Sequence, residues 1–245
     1  MRRHQLAQML VIGAIASVIG VAIALSIHWF PAEGSTQSEK IDQLYNVLLI
    51  ASVPVFVLVE VVVLYSVWKF RMKPGEELKD GPPIHGNTAL EVIWTAVPAL
   101  LIAGLCTYAY IVLLDIEKKP KHEMVVQVTG QQFAWSFGYK PVGGPQVTTN
   151  ELYLPEGRSV DFHIKATDVI HDFWVPAFRM KSDAVPGITT KYRITPRRLG
   201  TYAVVCAELC GLGHSTMRST VHVVSRPKFE AWLANQRSKP QSGAS

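Results

Sequence analysis

Two apolar runs constrain this chain more than any other feature. From Val47 to Val67 the only charge is Glu60, and from Val92 to Leu114 there is none until Asp115. Coiled as helices, runs of this length cross the roughly 30 Å of hydrocarbon in a bilayer. They predict a transmembrane helical hairpin over residues 43–118, kinked at Pro54 and Pro98, where neighbouring helices or local distortion satisfy the freed carbonyls. The linker "KFRMKPGEELKDGPPIHGNTALE" carries Lys69, Arg71, Lys73 and Lys79. A short loop rich in Lys and Arg stays in the cytoplasm, so both outer ends of the hairpin face away from it. Everything after Asp115 then lies on the extracytoplasmic side of a cell membrane crossed more than once. Cysteines there meet no glutathione pool, and copper is accessible.

The amino terminus, "MRRHQLAQMLVIGAIASVIGVAIALSIHWF", joins a basic start to an apolar run from Met9 to Ile27. It reads as a cleaved signal or a retained helix, and both give the same topology. The run is longer than a usual signal core and no A-x-A site follows it before Pro31, which favours a retained anchor. Residues 1–42 are thus a hydrophobic segment with an outer linker.

After Pro120 the pattern changes to short alternating segments, among them "EMVVQVTG", "QFAWSFGY", "VTTNELYL", "RSVDFHIKA", "KYRITP", "TYAVVCA" and "STVHVVS", punctuated by "PVGGP", "PEG" and "RRLG". Such runs predict one all-β domain, an antiparallel sandwich or barrel, over residues 119–226. Residues 227–245 predict a short amphipathic helix at Phe229 to Gln236 and a fraying tail. The sequence holds no internal repeat.

The stretch "CAELCGLGHSTM", residues 206–217, gathers soft donors into one loop. Outside the cytoplasm an isolated C-x3-C pair is most simply a disulfide. Zinc is the next reading, with His214 and one remote histidine completing four ligands. Neither uses Met217, whereas imidazole, thiolate and thioether together form the copper electron-transfer set. The spacing favours copper, and two cysteines flanking Glu208 can each bridge two ions. The second histidine must come from elsewhere. His171, in "TDVIHDFWVP", is the best candidate, at the end of a predicted strand beside Phe173, Trp174 and Pro176, which can shield a metal from water. His163 and His222 read as surface or packed histidines.

From the hairpin to the end of the β domain the chain resembles subunit II of the heme-copper cytochrome c oxidases, through "ALEVIWTAVPAL", "HDFWVPAFRMKSDAVPG" and above all "CAELCGLGHSTM". The resemblance implies a cupredoxin-like sandwich holding the binuclear copper centre CuA, with His171, Cys206, Cys210, His214, Met217 and the backbone carbonyl of Glu208 as ligands. No ligand is missing, which disfavours the related quinol oxidases that have lost them. By the same resemblance, the Glu208 side chain reaches toward a magnesium ion at the interface with the heme-bearing catalytic subunit, and "RMKSDAVPG", with Lys181 and Asp183, faces that subunit. The implied function is electron entry from cytochrome c, on the way to oxygen reduction coupled to proton translocation. Two glycines, Gly211 and Gly213, are expected to let the ligand loop turn tightly. Glu91 matches the acid at the mouth of a proton-uptake channel, although an acid in a first helical turn also complements the dipole.

The donor side departs from the family. Many relatives carry W-x-W where this chain has "QQFAWSFGY", so the electron-entry position is Phe133, with Trp135 at the next same-side position and expected in the core. Asp168 matches a docking acid of relatives. Residues 120–245 nevertheless hold fifteen Lys and Arg against nine Asp and Glu. That excess argues against steering of a strongly basic soluble cytochrome and points to an acidic or membrane-tethered cytochrome c docking by apolar contact at Phe133. The partners expected are that cytochrome, the catalytic subunit and membrane lipid, with no nucleic acid. A stand-alone membrane-anchored copper protein is the rival reading. It needs one helix, whereas this chain has two carrying Glu60, Trp68, Glu91 and Trp94, as helices that pack on others do. Nitrous oxide reductase shares the copper motif but needs a large further domain that 245 residues cannot contain.

Overall fold

The structure is a computed structural model describing residues 3–72, 74–75, 83, 85–140 and 144–238. Lys73 and Lys79 of the basic linker lie outside the described residues. Three long helices come first: α1 (Arg3–Ser26), α2 (Thr36–Phe70) and α3 (Thr88–Ile116). All three are long and apolar enough to cross a membrane. Both α2 and α3 continue through their internal prolines, Pro54 and Pro98. Their large apolar side chains are mostly exposed, as a hydrocarbon solvent or a protein neighbour requires.

Helix α2 begins at Thr36, ahead of the expected hairpin start at residue 43, because the polar stretch before the apolar run is helical too. Ser35 caps it: the Ser38 N–H donates to Ser35 Oγ at 3.1 Å, and the Ser38 hydroxyl returns a bond to the Ser35 carbonyl at 2.7 Å. The chain divides into two compact units, one of Met1–His28 with Gln43–Ile111, the other of Trp29–Asp42 with Val112–Ser245.

The second unit is a sandwich of two five-stranded sheets. One contains β1 (Met124–Gln131), β2 (Ala134–Tyr139), β3 (Val147–Thr149), β5 (Val160–Ala166) and β8 (Thr190–Ile194), in the order β3-β2-β1-β5-β8. The other contains β4 (Leu152–Pro155), β6 (His171–Val175), β7 (Met180–Ala184), β9 (Gly200–Cys206) and β10 (Arg218–Val224), in the order β4-β10-β9-β6-β7. The sheets are mixed rather than purely antiparallel, since β1 runs parallel to β5 and β10 parallel to β4. Alternation along β1 buries Val126 and Val128 and turns Gln127 outward, which is how a period of two makes an inner face. Those valines meet Phe137, Phe162, Phe173 and Val221 in the core. Full burial of side chains of this size is worth about 1.5–3 kcal/mol each. A last helix, α4 (Arg226–Ser238), extends past the expected Phe229 to Gln236 and closes the sandwich with Phe229 and Leu233.

The segment before α2 is sewn onto this sandwich. Ser35 forms a bridge with Pro196, the Gly34 N–H donates to the Ala177 carbonyl at 2.8 Å, and the Thr195 N–H donates to Gln37 Oε1 at 2.9 Å. Arg179 completes the seam. It sits in the left-handed region at φ 61°, just after the single turn Pro176–Phe178 that links β6 to β7. Its guanidinium donates to both carboxylate oxygens of Asp42, at 2.7 and 2.8 Å, and to the Pro31 carbonyl at 2.6 Å. The paired geometry is one that only a planar fork supplies.

Candidate metal centre

Three elements of one sheet bring the site together. His171 opens β6 rather than ending a strand, Cys206 ends β9, and the loop that follows runs through Cys210 and His214 to Met217 just before β10. Because β9 is antiparallel to both β6 and β10, the start of β6, the end of β9 and the start of β10 meet at one end of the sheet. His171 and Met217 are wholly buried, and Cys206 and Cys210 nearly so. His214 is half-exposed and the Glu208 side chain exposed.

The donor atoms converge. His171 Nδ1, Cys206 Sγ and Cys210 Sγ all lie within 4.8 Å of one another. The sulfurs are 3.9 Å apart. Each faces its own imidazole, Cys206 with His171 Nδ1 at 3.9 Å and Cys210 with His214 Nδ1 at 3.6 Å. The Glu208 carbonyl lies 3.2 Å from Cys206 Sγ, and Met217 Sδ 3.8 Å from Cys210 Sγ. Both cysteines are free. A disulfide needs about 2.05 Å, whereas one ion with metal–sulfur bonds of about 2.3 Å touches two sulfurs up to about 4.6 Å apart. The donor set, two thiols, two imidazoles, a thioether and a carbonyl, therefore fits soft transition metals shared between the sulfurs.

Burial raises the Cys210 thiol to about 11, helped by the neighbouring Cys206. A metal binding here displaces protons, since thiolate is the ligand form.

Asp168 braces the centre from behind. Its carboxylate accepts from the Gln132 N–H at 2.7 Å and the Val169 N–H at 2.7 Å, and meets His171 Nε2 at 2.8 Å. That bond assigns the proton of His171 to Nε2 and leaves the Nδ1 lone pair facing the sulfurs. Partial burial opposes ionisation of Asp168, but these three hydrogen bonds outweigh it and hold the carboxyl below the usual carboxylate range. Gln132, in the turn between β1 and β2, also donates from Nε2 to the Cys210 carbonyl at 2.6 Å. One residue thus holds both halves of the donor set, and no spacing in the sequence announces it.

Phe133 lies over the ligand loop and is 38% exposed. A Cβ added at Gly213 would come within 2.4 Å of its ring, and one at Gly211 within 3.3 Å. Only Gly211, at φ 132°, has a backbone that side chains resist. Gly213 is at φ −92°, so its requirement is space rather than conformation. Trp135 is buried, as expected, with its ring edge-on to His171 at 6.0 Å and to Phe173 at 5.5 Å. Leu209 and Leu212 are exposed on the loop beside Phe133.

The remaining residues divide. Asp172, next to His171, is buried, and burial raises its carboxyl while Lys181 at 3.1 Å opposes that. Asp172 was not legible as a site residue. His163 pairs with Asp161 at 3.2 Å, and His222 stacks on Tyr153 at 4.5 Å, so neither joins the cluster. Glu91 sits in the first turn of α3, where its carboxylate accepts from the Asn87 N–H at 3.3 Å while Asn87 Oδ1 accepts from the Leu90 N–H at 3.1 Å, a reciprocal cap.

A sandwich of this kind, with apolar helices before it and soft donors at one end of a sheet, is a membrane-anchored cupredoxin-like protein. Comparison with known proteins narrows the class. Residues 9–112 match the family described as cytochrome C oxidase subunit II, transmembrane domain, and residues 146–224 match its periplasmic domain. Cytochrome c oxidase subunit 2 of Thermostichus vulcanus is 32% identical, over 87% of this chain and 82% of its own length. The alternative cytochrome c oxidase subunit 2 of Bradyrhizobium diazoefficiens is 31% identical, over 94% and 91%. Among solved structures, the periplasmic domain of subunit II of cytochrome oxidase of Bradyrhizobium japonicum is 28% identical, with a TM-score of 0.45, covering 48% of this chain and 95% of that one. This chain belongs to the cytochrome c oxidase subunit II family, and its enzyme class is that of the cytochrome c oxidases.

Proposed function

We propose that the chain is the electron-entry subunit of a proton-translocating terminal oxidase, with two copper ions held by His171, Cys206, Cys210, His214, Met217 and the Glu208 carbonyl. The convergence of these six donors, two of them the unbonded cysteine sulfurs 3.9 Å apart, carries the reading. When bound, the copper pair would supply one-electron redox chemistry with small reorganisation. The protein's contribution is rigidity and dryness. Asp168 fixes the His171 tautomer, Gln132 holds the loop, and Trp135 and Phe173 exclude water on the core side. The exposed Glu208 carboxylate is available to a magnesium ion shared with a heme-bearing catalytic subunit.

The copper domain faces away from the cytoplasm in this proposal. Its donor is an acidic or membrane-tethered cytochrome c, docking on the apolar surface of Phe133, Leu209 and Leu212, with Asp168 at its edge and Trp135 behind. That surface and the basic balance of the domain support apolar docking over steering of a basic partner. Turnover that is fast with a basic soluble cytochrome c and collapses as salt rises would reject it. Glu91 is proposed to serve proton uptake beyond its capping role: Glu91→Ala slows reduction of the oxygen-site heme and leaves copper reduction intact, and unchanged turnover rejects the role.

Copper loading of the full chain tests the central proposal. Two coppers per chain, a purple species and seven-line hyperfine structure are expected. A single copper, or preferential zinc, overturns it.

A further inference from the structure

On the β unit, away from the ligand loop, a cavity of about 540 Å³ is lined among others by His122, Arg158, Ser159, Arg226 and Glu230. Two arginines face one acid. Arg226 is fixed by backbone alone, donating to the carbonyls of Gly157 at 3.0 Å and Glu156 at 3.4 Å, so no carboxylate neutralises it among the described residues. Arg158 makes no hydrogen bond or ion pair among the described residues. Ser159 is only 6% exposed, and its hydroxyl is buried without a hydrogen-bond partner. A buried hydroxyl in that condition costs free energy until something bonds it. The amino terminus of α4 opens here as well, Arg226 being its first residue, and that end of a thirteen-residue helix favours negative charge.

The position matters as much as the charge. Pro120, also in the lining, follows Ile116, the last residue of α3, by four residues. Four extended residues span at most about 14 Å, so the chain itself tethers Pro120 within that distance of the end of α3. Lys118, Lys119 and Lys121 flank the same stretch.

We propose that this cavity binds the phosphate of an anionic phospholipid headgroup, clasped by Arg158 and Arg226. The test titrates the full chain in detergent with dioleoyl phosphatidylglycerol, dioleoyl phosphatidylcholine or inorganic phosphate, and counts bound molecules by native mass spectrometry. Phosphatidylglycerol should be retained about tenfold more tightly than phosphatidylcholine, the scale of one charge-assisted contact. Arg158→Gln should erase that preference while leaving thermal unfolding unchanged, because Arg158 has no partner to lose among the described residues. Equal retention of the two lipids, or full retention by the R158Q variant, overturns the proposal. Saturation by inorganic phosphate with no preference for the anionic lipid assigns the cavity to free phosphate and overturns the lipid assignment.

Discussion

Gly213→Ala tests how the aromatic contact is mounted on the ligand loop. The backbone at φ −92° accepts alanine, so the cost is purely one of space. An added Cβ would lie 2.4 Å from Phe133 Cδ2 and 2.6 Å from Cγ. Carbon atoms settle at about 3.5–4.0 Å, so roughly 1 Å or more must be found. Cγ is the root of the ring, and spinning the ring about its own axis does not move it. Either Phe133 changes χ1 or the loop carrying Cys210 and His214 retreats. Overpacking of this degree costs about 1–3 kcal/mol. In a Phe133→Ala background the obstacle is gone, and the same substitution should be neutral or stabilise by up to about 1 kcal/mol by stiffening the unfolded chain. The measurement is a double-mutant cycle on the full chain, using urea midpoints of the β unit read by near-ultraviolet circular dichroism. A Gly213→Ala cost that is equal in both backgrounds, to within about 0.5 kcal/mol, refutes the packing argument. Cytochrome-driven turnover should fall in the single variant even when copper stoichiometry is kept, since the displaced ring is the proposed electron contact.

Other expectations follow from the braces. Arg179→Ala leaves Asp42 without its buried partner and should lower β-unit stability by about 3–5 kcal/mol, with Arg179→Lys failing to restore it; a loss below 1 kcal/mol, read from the same urea midpoints, rejects a structural seam. Asp168→Ala should weaken copper binding about 10–100-fold in competition with a chelator, and unchanged affinity rejects its control of His171. The Asp168 carboxyl is depressed in the fold, so its contribution is present above the unfolded value and is lost only as pH falls through the lower folded one. The raised Cys210 thiol has the opposite sign. Its contribution to the copper-free fold is complete below the unfolded value of about 8.5 and is lost as pH rises through about 11, and Cys210→Ser should flatten that decline in stability.

What was legible in the sequence was whatever composition or short spacing determines. The apolar runs announce their helices because hydropathy alone selects them, and the soft donors announce a metal because they crowd one loop. The polar stretch Thr36 to Asn46 carries no such signal, and its helix depends on the Ser35 cap and on hydrogen bonds to residues far along the chain. The strand at His171–Val175 does not alternate, being buried on nearly every side chain, and the next at Met180–Ala184 reads as surface because Lys181 and Asp183 point outward. Least legible is the turn between β1 and β2. Its Phe133 was singled out for electron contact, yet its neighbour Gln132 touches both the acid behind His171 and the carbonyl of Cys210. The same turn therefore presents the aromatic surface and ties the histidine to the thiolate loop. Under the proposed docking at Phe133, a partner would also press on Gln132, whose two hydrogen bonds reach Asp168 and the Cys210 carbonyl. Gln132→Leu would separate the two roles, shifting the copper spectrum while leaving the exposed ring in place.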